Sequence, residues 1–367
     1  MVPVFGGGEF LCLNVCLALQ ERGYHVKLVC DIFDPEMAEE VYGMGSVMKR
    51  CEHVPIPEFV PKKAPLPGLH LYAIQRLIYQ RRIRVPIESI EANVAFSTQS
   101  SVFSMKDKQI YHFLYNIIDL FSYPASLTDE SKRGSGFRWR AYYWGLNRLR
   151  NLLIGDPSPD FFFALSEGVH ADLVSRGYPN STTIFPPARM DFHPLAKKKQ
   201  VITVSRIVKP KRLEMFFEIA RRLPQYPFYL IGRNAPELRA LEPGYSDALF
   251  KNMPSNVHYI ESPIKQVPRY LQESKVYLYC GVEPGIGIAI MEACGAGCVP
   301  VTPNAGGGRE VVDAIGEGYT FRDVDEAVRA VEAALLGDDI PERIAEKARE
   351  RFSPEAFRSK IMDVLKD

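Results

Sequence analysis

Two clusters of residues could do chemistry together. In CGVEPGIGIAIMEACGAG (280–297), glycines and a proline surround the carboxylates Glu283 and Glu292 in an otherwise apolar stretch. Gly285 and Gly287 remove side chains where a ligand would approach the backbone, and the amides around Ile286 can point at its oxygens. Glu292, about a turn into the following helix, is placed to accept hydrogen bonds from the vicinal hydroxyls of a ribose. A glycine-rich turn whose helix is capped by Glu292 is the plain alternative. The second cluster is VSRIVKPKRLE (204–214), where Arg206 directly follows a strand and Lys211 opens the next helix. Both cations can converge on one diphosphate, although cations at exposed helix starts are commonly just solvated. A dinucleotide fingerprint would need glycine at position 290, which is Ile290, so nicotinamide oxidoreduction is disfavoured.

The elements that must hold these residues are legible as alternation. Short β-branched or aromatic runs (HVKLVC 25–30, NVAFS 92–96, QIYHF 109–113, DFFFAL 160–165, VITVS 201–205, FYLI 228–231, VHYI 257–260, VYLY 276–279, CVPVT 298–302) are separated by helical patterns such as KRLEMFFEIARRL (211–223). Strand, helix, strand, repeated, implies parallel sheets covered on both faces. The rhythm restarts after the connector LAKKKQ (195–200), which predicts an α/β protein with two doubly wound lobes. The expected divisions are a first lobe over 1–195, a second lobe over 196–352, and a helix over 353–367 crossing back to the first lobe. One feature departs from this scheme: the glycine turn VFGGGEF (4–10) leads into a helix, yet only Met1 to Pro3 precede it. The expected first strand of lobe one is then almost entirely missing, which implies either a truncated or mis-started N-terminus or a first lobe built unusually.

Together the cation pair and PGIGIAIMEACGAGCVPVTPNAGGGREVV (284–312) resemble the donor-site signature of family 4 retaining glycosyltransferases of the GT-B architecture. GGGE (6–9) and FFFALSEGVHADLVSRGYPNSTTIFPPARMDFHP (161–194) are similar to other segments of that family, so the resemblance covers most of the chain. It implies two Rossmann-like lobes facing a central cleft, with a nucleotide-sugar as substrate and no cofactor. Residue by residue, it implies that Arg206 and Lys211 neutralise the diphosphate and Glu292 binds the ribose. The backbone of Gly285, Ile286 and Gly287 faces sugar and phosphate, Gly7 and Gly8 close on the donor from the first lobe, and His112 in IYHFLY lies near the donor sugar. A lone strand-end histidine is also commonly structural. The family has two glutamates separated by seven residues; here Glu283 and Glu292 are separated by eight, and aligning the glycines puts Pro284 at the first position. In this register Glu283 takes the catalytic position beside the sugar only by way of a local bulge.

The implied reaction is metal-independent transfer of a hexose, with retention, to a saccharide or lipid-linked acceptor. GDP-mannose is the donor suggested by similarity to lipid-linked mannosyltransferases, and a UDP-sugar is the other candidate. Rival classes are a sugar-nucleotide epimerase or hydrolase on the same scaffold, and a non-catalytic sugar-nucleotide-binding subunit. The Asp-x-Asp of FRDVDEAV, Asp323 and Asp325, reads as a helix cap and not as a metal site. A formal net charge of +1 argues against a general nucleic-acid binder. The excess of basic residues between 49 and 150, with aromatics interleaved in FRWRAYYWGLNRLRNLLIG (137–155), suits an anionic membrane surface, or a helix that simply faces water. Seven cysteines without a Cys-x-x-Cys pair, five of them among apolar residues, fit reduced thiols. The expected location is the cytoplasm, with peripheral contact at the inner face of the membrane.

Overall fold

The computed structural model describes residues 6–58, 75, 77–79, 81–83, 87, 89–98, 109–114, 145, 148, 149, 152, 161–234, 242–261, 267–283, 285–338 and 340–365. They divide between two compact units, Met1–Ile184 with Ile361–Asp367, and Phe185–Lys360. Most of the basic segment 137–155 lies outside the described residues. No described helix is long and apolar enough to cross a membrane.

The first unit opens with α1 (Gly7–Glu21), then β1 (Lys27–Cys30), α2 (Pro35–Tyr42), α3 (Gly45–Lys49), β2 (Glu52–Pro55), β3 (Val94–Ser97), β4 (Gln109–Leu114), β5 (Phe161–Ala164), α4 (Glu167–Ser175) and β6 (Ser181–Thr183). Gly7 and Gly8 form the first turn of α1 and do not precede it. The Glu9 carboxylate accepts from the Gly6 amide at 2.8 Å, satisfying a donor at the helix entrance. All described strand pairs here are parallel, but they fall into two sheets, β1-β2 and β3-β4-β5-β6. In a doubly wound sheet the strand before the first helix lies between the two halves. Here β1 and β3, which would flank it, are end strands of separate sheets among the described residues.

The second unit continues with β7 (Lys198–Val204), α5 (Leu213–Arg222), β8 (Phe228–Gly232), α6 (Tyr245–Lys251), β9 (Val257–Glu261), α7 (Val267–Glu273), β10 (Ser274–Leu278), α8 (Ile288–Gly295), β11 (Val299–Pro303), α9 (Gly306–Ile315), β12 (Tyr319–Phe321), α10 (Val324–Leu336) and α11 (Pro341–Phe352). The last helix, α12 (Pro354–Val364), begins in this unit, and its residues from Ile361 group with the first. One six-stranded parallel sheet runs β12-β11-β10-β7-β8-β9. Central strands are covered on both faces, so their residues are apolar without alternation: Val201, Ile202, Val276, Tyr277 and Leu278 are all buried. α5 buries Phe216, Phe217, Ile219 and Ala220 while Glu214, Glu218, Arg221 and Arg222 face water, the pattern of a helix laid on a sheet. Asp323 caps α10 by accepting from the Glu326 amide at 2.8 Å, and Asp325 pairs with Arg222.

The strand order has one consequence for function. Numbered within the unit, β7 is the first strand and β10 the fourth, and they are neighbours. Connections leave β7 toward β8 on one side and β10 toward β11 on the other. The crevice at such a reversal, beyond the carboxyl ends of the strands, is where doubly wound sheets bind ligands.

Candidate active site

Both clusters singled out in the sequence lie at that reversal. Arg206 and Lys211 follow the end of β7, and the segment from Tyr279 to Gly287 follows the end of β10. Lys211 does not open a long helix as its periodicity suggests. Pro210 and a 3-10 turn (Lys209–Lys211) intervene, and Arg212 adopts φ 51°, ψ 45° before α5 starts at Leu213. Among the described residues Arg212 is the only non-glycine with positive φ, a conformation costly for a side-chain-bearing residue and most often kept where geometry matters.

That turn delivers the Lys211 ammonium to the segment after β10. Its Nζ lies 2.8 Å from Glu283 Oε1 and donates to the Tyr279 hydroxyl at 3.4 Å, while the Tyr279 hydroxyl donates to Glu283 Oε2 at 2.7 Å. Lysine, tyrosine and glutamate thus close a triangle. Only 18% of the Lys211 side chain and 30% of Glu283 are exposed, so the pair is screened less than a surface ion pair. Burial raises the Tyr279 phenol well above its ordinary range, and the neighbouring Glu283 carboxylate adds to the effect. Tyr279 therefore stays protonated and acts as a hydrogen-bond donor. Arg206 is exposed at the strand end, and its guanidinium bonds to no described residue.

Close packing fixes the glycine segment. Gly306 has φ +70°, and a Cβ there would sit 2.7 Å from the carbonyl oxygens of Val282 and Glu283. A Cβ on Gly307 would sit 2.5 Å from the Gly285 oxygen, and the Gly307 amide donates to the Glu283 carbonyl at 2.9 Å. The start of α9 is thus pressed against Val282, Glu283, Gly285 and Ile286, which explains Gly306 and Gly307, while a Cβ on Gly308 would meet Thr302 and Tyr279. Gly287 is the N-cap of α8, so the helix entrance with its unpaired amides follows Gly285 and Ile286 directly.

Glu292 lies in the second turn of α8, with 13% of its side chain exposed. It does not cap the helix. Its Oε1 accepts from Arg189 Nε at 3.0 Å. Burial raises the carboxyl above its usual range, and the Arg189 guanidinium pulls it back down.

His112 is a correction to the sequence reading. It is the fourth residue of β4 and not its end, aligned with Ser97 on β3 and Phe162 on β5, and it is 1% exposed. Gly7 and Gly8 open α1 in the first unit. Sequence reasoning missed Tyr279, taken as a strand residue, and Arg189, taken as part of a run-up to the connector.

In fold the chain is similar to solved structures of the GT-B architecture. It superposes on a sucrose-phosphate synthase of Thermosynechococcus elongatus with a TM-score of 0.68 and 13% identity, covering 98% of this chain and 92% of that one. HepE of Anabaena, solved with UDP and glucose, gives a TM-score of 0.67 at 13% identity, covering 98% and 96%. A variant of TarM of S. aureus, solved with UDP, Fondaparinux and alpha-GlcNAc-glycerol, gives 0.56 at 13% identity; the match covers 79% of this chain and 59% of TarM. Residues 188–351, somewhat under half of the chain, match the family model described as "Glycosyl transferases group 1". No curated protein sequence is significantly similar to this chain.

Proposed function

We propose that the protein transfers a hexose from a nucleotide-sugar to a saccharide or lipid-linked acceptor, with retention and without a metal. The observation that carries this reading is the meeting of Lys211 with Tyr279 and Glu283 at the strand-order reversal, beside the entrance of α8. An ammonium has three donors, so Lys211 can keep its bond to Glu283 and still donate to a diphosphate. Arg206 adds the second cation, the backbone of Gly285, Ile286 and Gly287 meets phosphate and sugar, and Glu292 accepts the ribose hydroxyls. Glu283 serves as the counter-charge and orienter of Lys211, because both of its oxygens are already engaged.

The chemistry asked of these groups is electrostatic. As the glycosidic bond breaks, the nucleoside diphosphate gains negative charge and the sugar becomes oxocarbenium-like. Cations and amides already in place stabilise that charge without reorganising. Front-face attack assisted by the leaving phosphate, which the family resemblance implies, yields retention.

UDP is the favoured nucleotide, supported by its presence in the HepE and TarM structures; GDP-mannose, suggested by the glycine-rich segment, has no comparable support. A lipid-linked acceptor rests on the basic and aromatic segment 137–155. A thermal-shift panel of UDP, GDP and their sugar conjugates tests the donor reading. UDP at a hundredfold excess over its Kd should stabilise the native state by about 2.7 kcal/mol, a rise of several degrees. Unchanged melting with every nucleotide would refute it.

A further inference from the structure

Arg189 belongs to PPARMDFHP (186–194), ahead of β7 in the chain and 103 residues from its partner Glu292. The loop around it is held by contacts that do not involve this pair. The Ala188 amide donates to the Phe352 carbonyl at 2.9 Å, and Arg349 of α11 donates to the Phe192 carbonyl at 2.7 Å. The loop also lies against α8 at Gly295, where a Cβ would come within 2.3 Å of Met190 Sδ. The Arg189 guanidinium itself rests 5.9 Å from the centre of the Phe192 ring.

A loop so anchored does not need a largely desolvated ion pair to stay in place. Taking both charges out of water is expensive, and an apolar pair would serve packing as well. Arg189 Nε donates to Oε1, which fixes the orientation of the carboxylate, and the guanidinium opposes the rise that burial imposes on it.

We propose that Arg189 is a positioning residue for nucleoside recognition: it holds Glu292 ionised and aimed at the ribose hydroxyls, so that the free protein already has the shape the donor needs. The inference rests on the ribose role given to Glu292 above. The charged and titratable groups facing Glu292 are few. Arg189 and Asp191 come from the loop and Tyr277 from β10, and burial keeps the Tyr277 phenol protonated. Asp191 opposes the ionisation of Glu292, which leaves Arg189 as the cation that sustains it.

The sign of the pH effect follows. Without Arg189 the Glu292 carboxyl, already raised by burial, rises further, and its protonated form takes over as pH falls. UDP affinity of Arg189→Met should therefore decline from pH 8 to pH 5.5 more steeply than that of the parent, and be about 10-fold or more below the parent at neutral pH. Arg189→Lys keeps the charge and should recover part of the affinity and most of the flat profile. In Arg189→Met/Glu292→Gln the affinity should match that of Glu292→Gln alone, because Arg189 acts only through the carboxylate.

Calorimetric titration of UDP into the parent and these variants, each checked for cooperative melting, decides the matter. If the parent binds UDP and Arg189→Met binds it equally well with the same pH profile, the pair is a packing contact and the inference fails while the donor reading stands. Additive losses in the double variant would also overturn it. Failure of the parent to bind either UDP or GDP would overturn the donor reading and this inference together. Should Arg189→Met melt below assay temperature, Arg189→Lys and the double variant carry the same test.

Discussion

Lys211→Ala is expected to lower kcat by about 10²- to 10³-fold while raising the donor KM by much less, the usual result of removing one preorganised charge stabiliser. The attraction between this ammonium and the diphosphate grows as the glycosidic bond breaks, so its loss is felt most in the transition state. Lys211 is not an exposed helix-start lysine, and its removal is not silent for the fold. Glu283 loses its counter-ion but keeps the hydrogen bond from Tyr279, so the native state should lose about 1 kcal/mol. Steady-state kinetics with a melting curve for the same preparation separates the two effects. A variant that transfers sugar at the parental rate would remove Lys211 from the mechanism and leave Arg206 without its companion.

Glu292→Gln should weaken donor binding by about 1.5–3 kcal/mol, the loss of charge-assisted acceptance from ribose hydroxyls. The amide also leaves the Arg189 guanidinium without its counter-charge, so some loss of stability accompanies the change. Comparing ligands isolates the ribose contact. Affinity for the nucleoside alone should fall together with that for the nucleoside diphosphate, because the contact lies on the sugar of the nucleoside. Lys211→Ala should leave nucleoside affinity intact and weaken only phosphate-bearing ligands. Equal nucleoside affinity in Glu292→Gln and the parent, measured by calorimetry, would assign Glu292 to packing.

The second unit was legible because a parallel sheet covered on both faces leaves uninterrupted apolar runs, and VITV and VYLY are such runs. The glycines at 285 and 287 mark the turn between β10 and α8 for a local reason, since Gly287 is the N-cap at which the helix begins. The start of α5 was misread because KRLEMFFEIARRL is periodic from its first residue, while the break comes from Pro210 and from the left-handed conformation of Arg212, which periodicity does not encode. IYHFLY does not say where β4 ends, and the strand runs two residues past His112. Arg189 could not be paired with Glu292 from sequence at all. Contacts across 103 residues depend on how α8 and the loop before β7 pack.

The central claim is that the site cleaves a nucleotide-sugar only to pass the sugar on. Release of nucleoside diphosphate from UDP- and GDP-hexoses, followed with and without acceptor, tests it most directly. The acceptor arms are a soluble saccharide mixture and a membrane lipid extract carrying lipid-linked saccharides. The account predicts slow release from one nucleotide-sugar alone and release accelerated at least 10-fold by an acceptor, with the label of the donor sugar recovered in the acceptor fraction. Release at the same rate with and without either acceptor, or no release from any of the sugars, would contradict it.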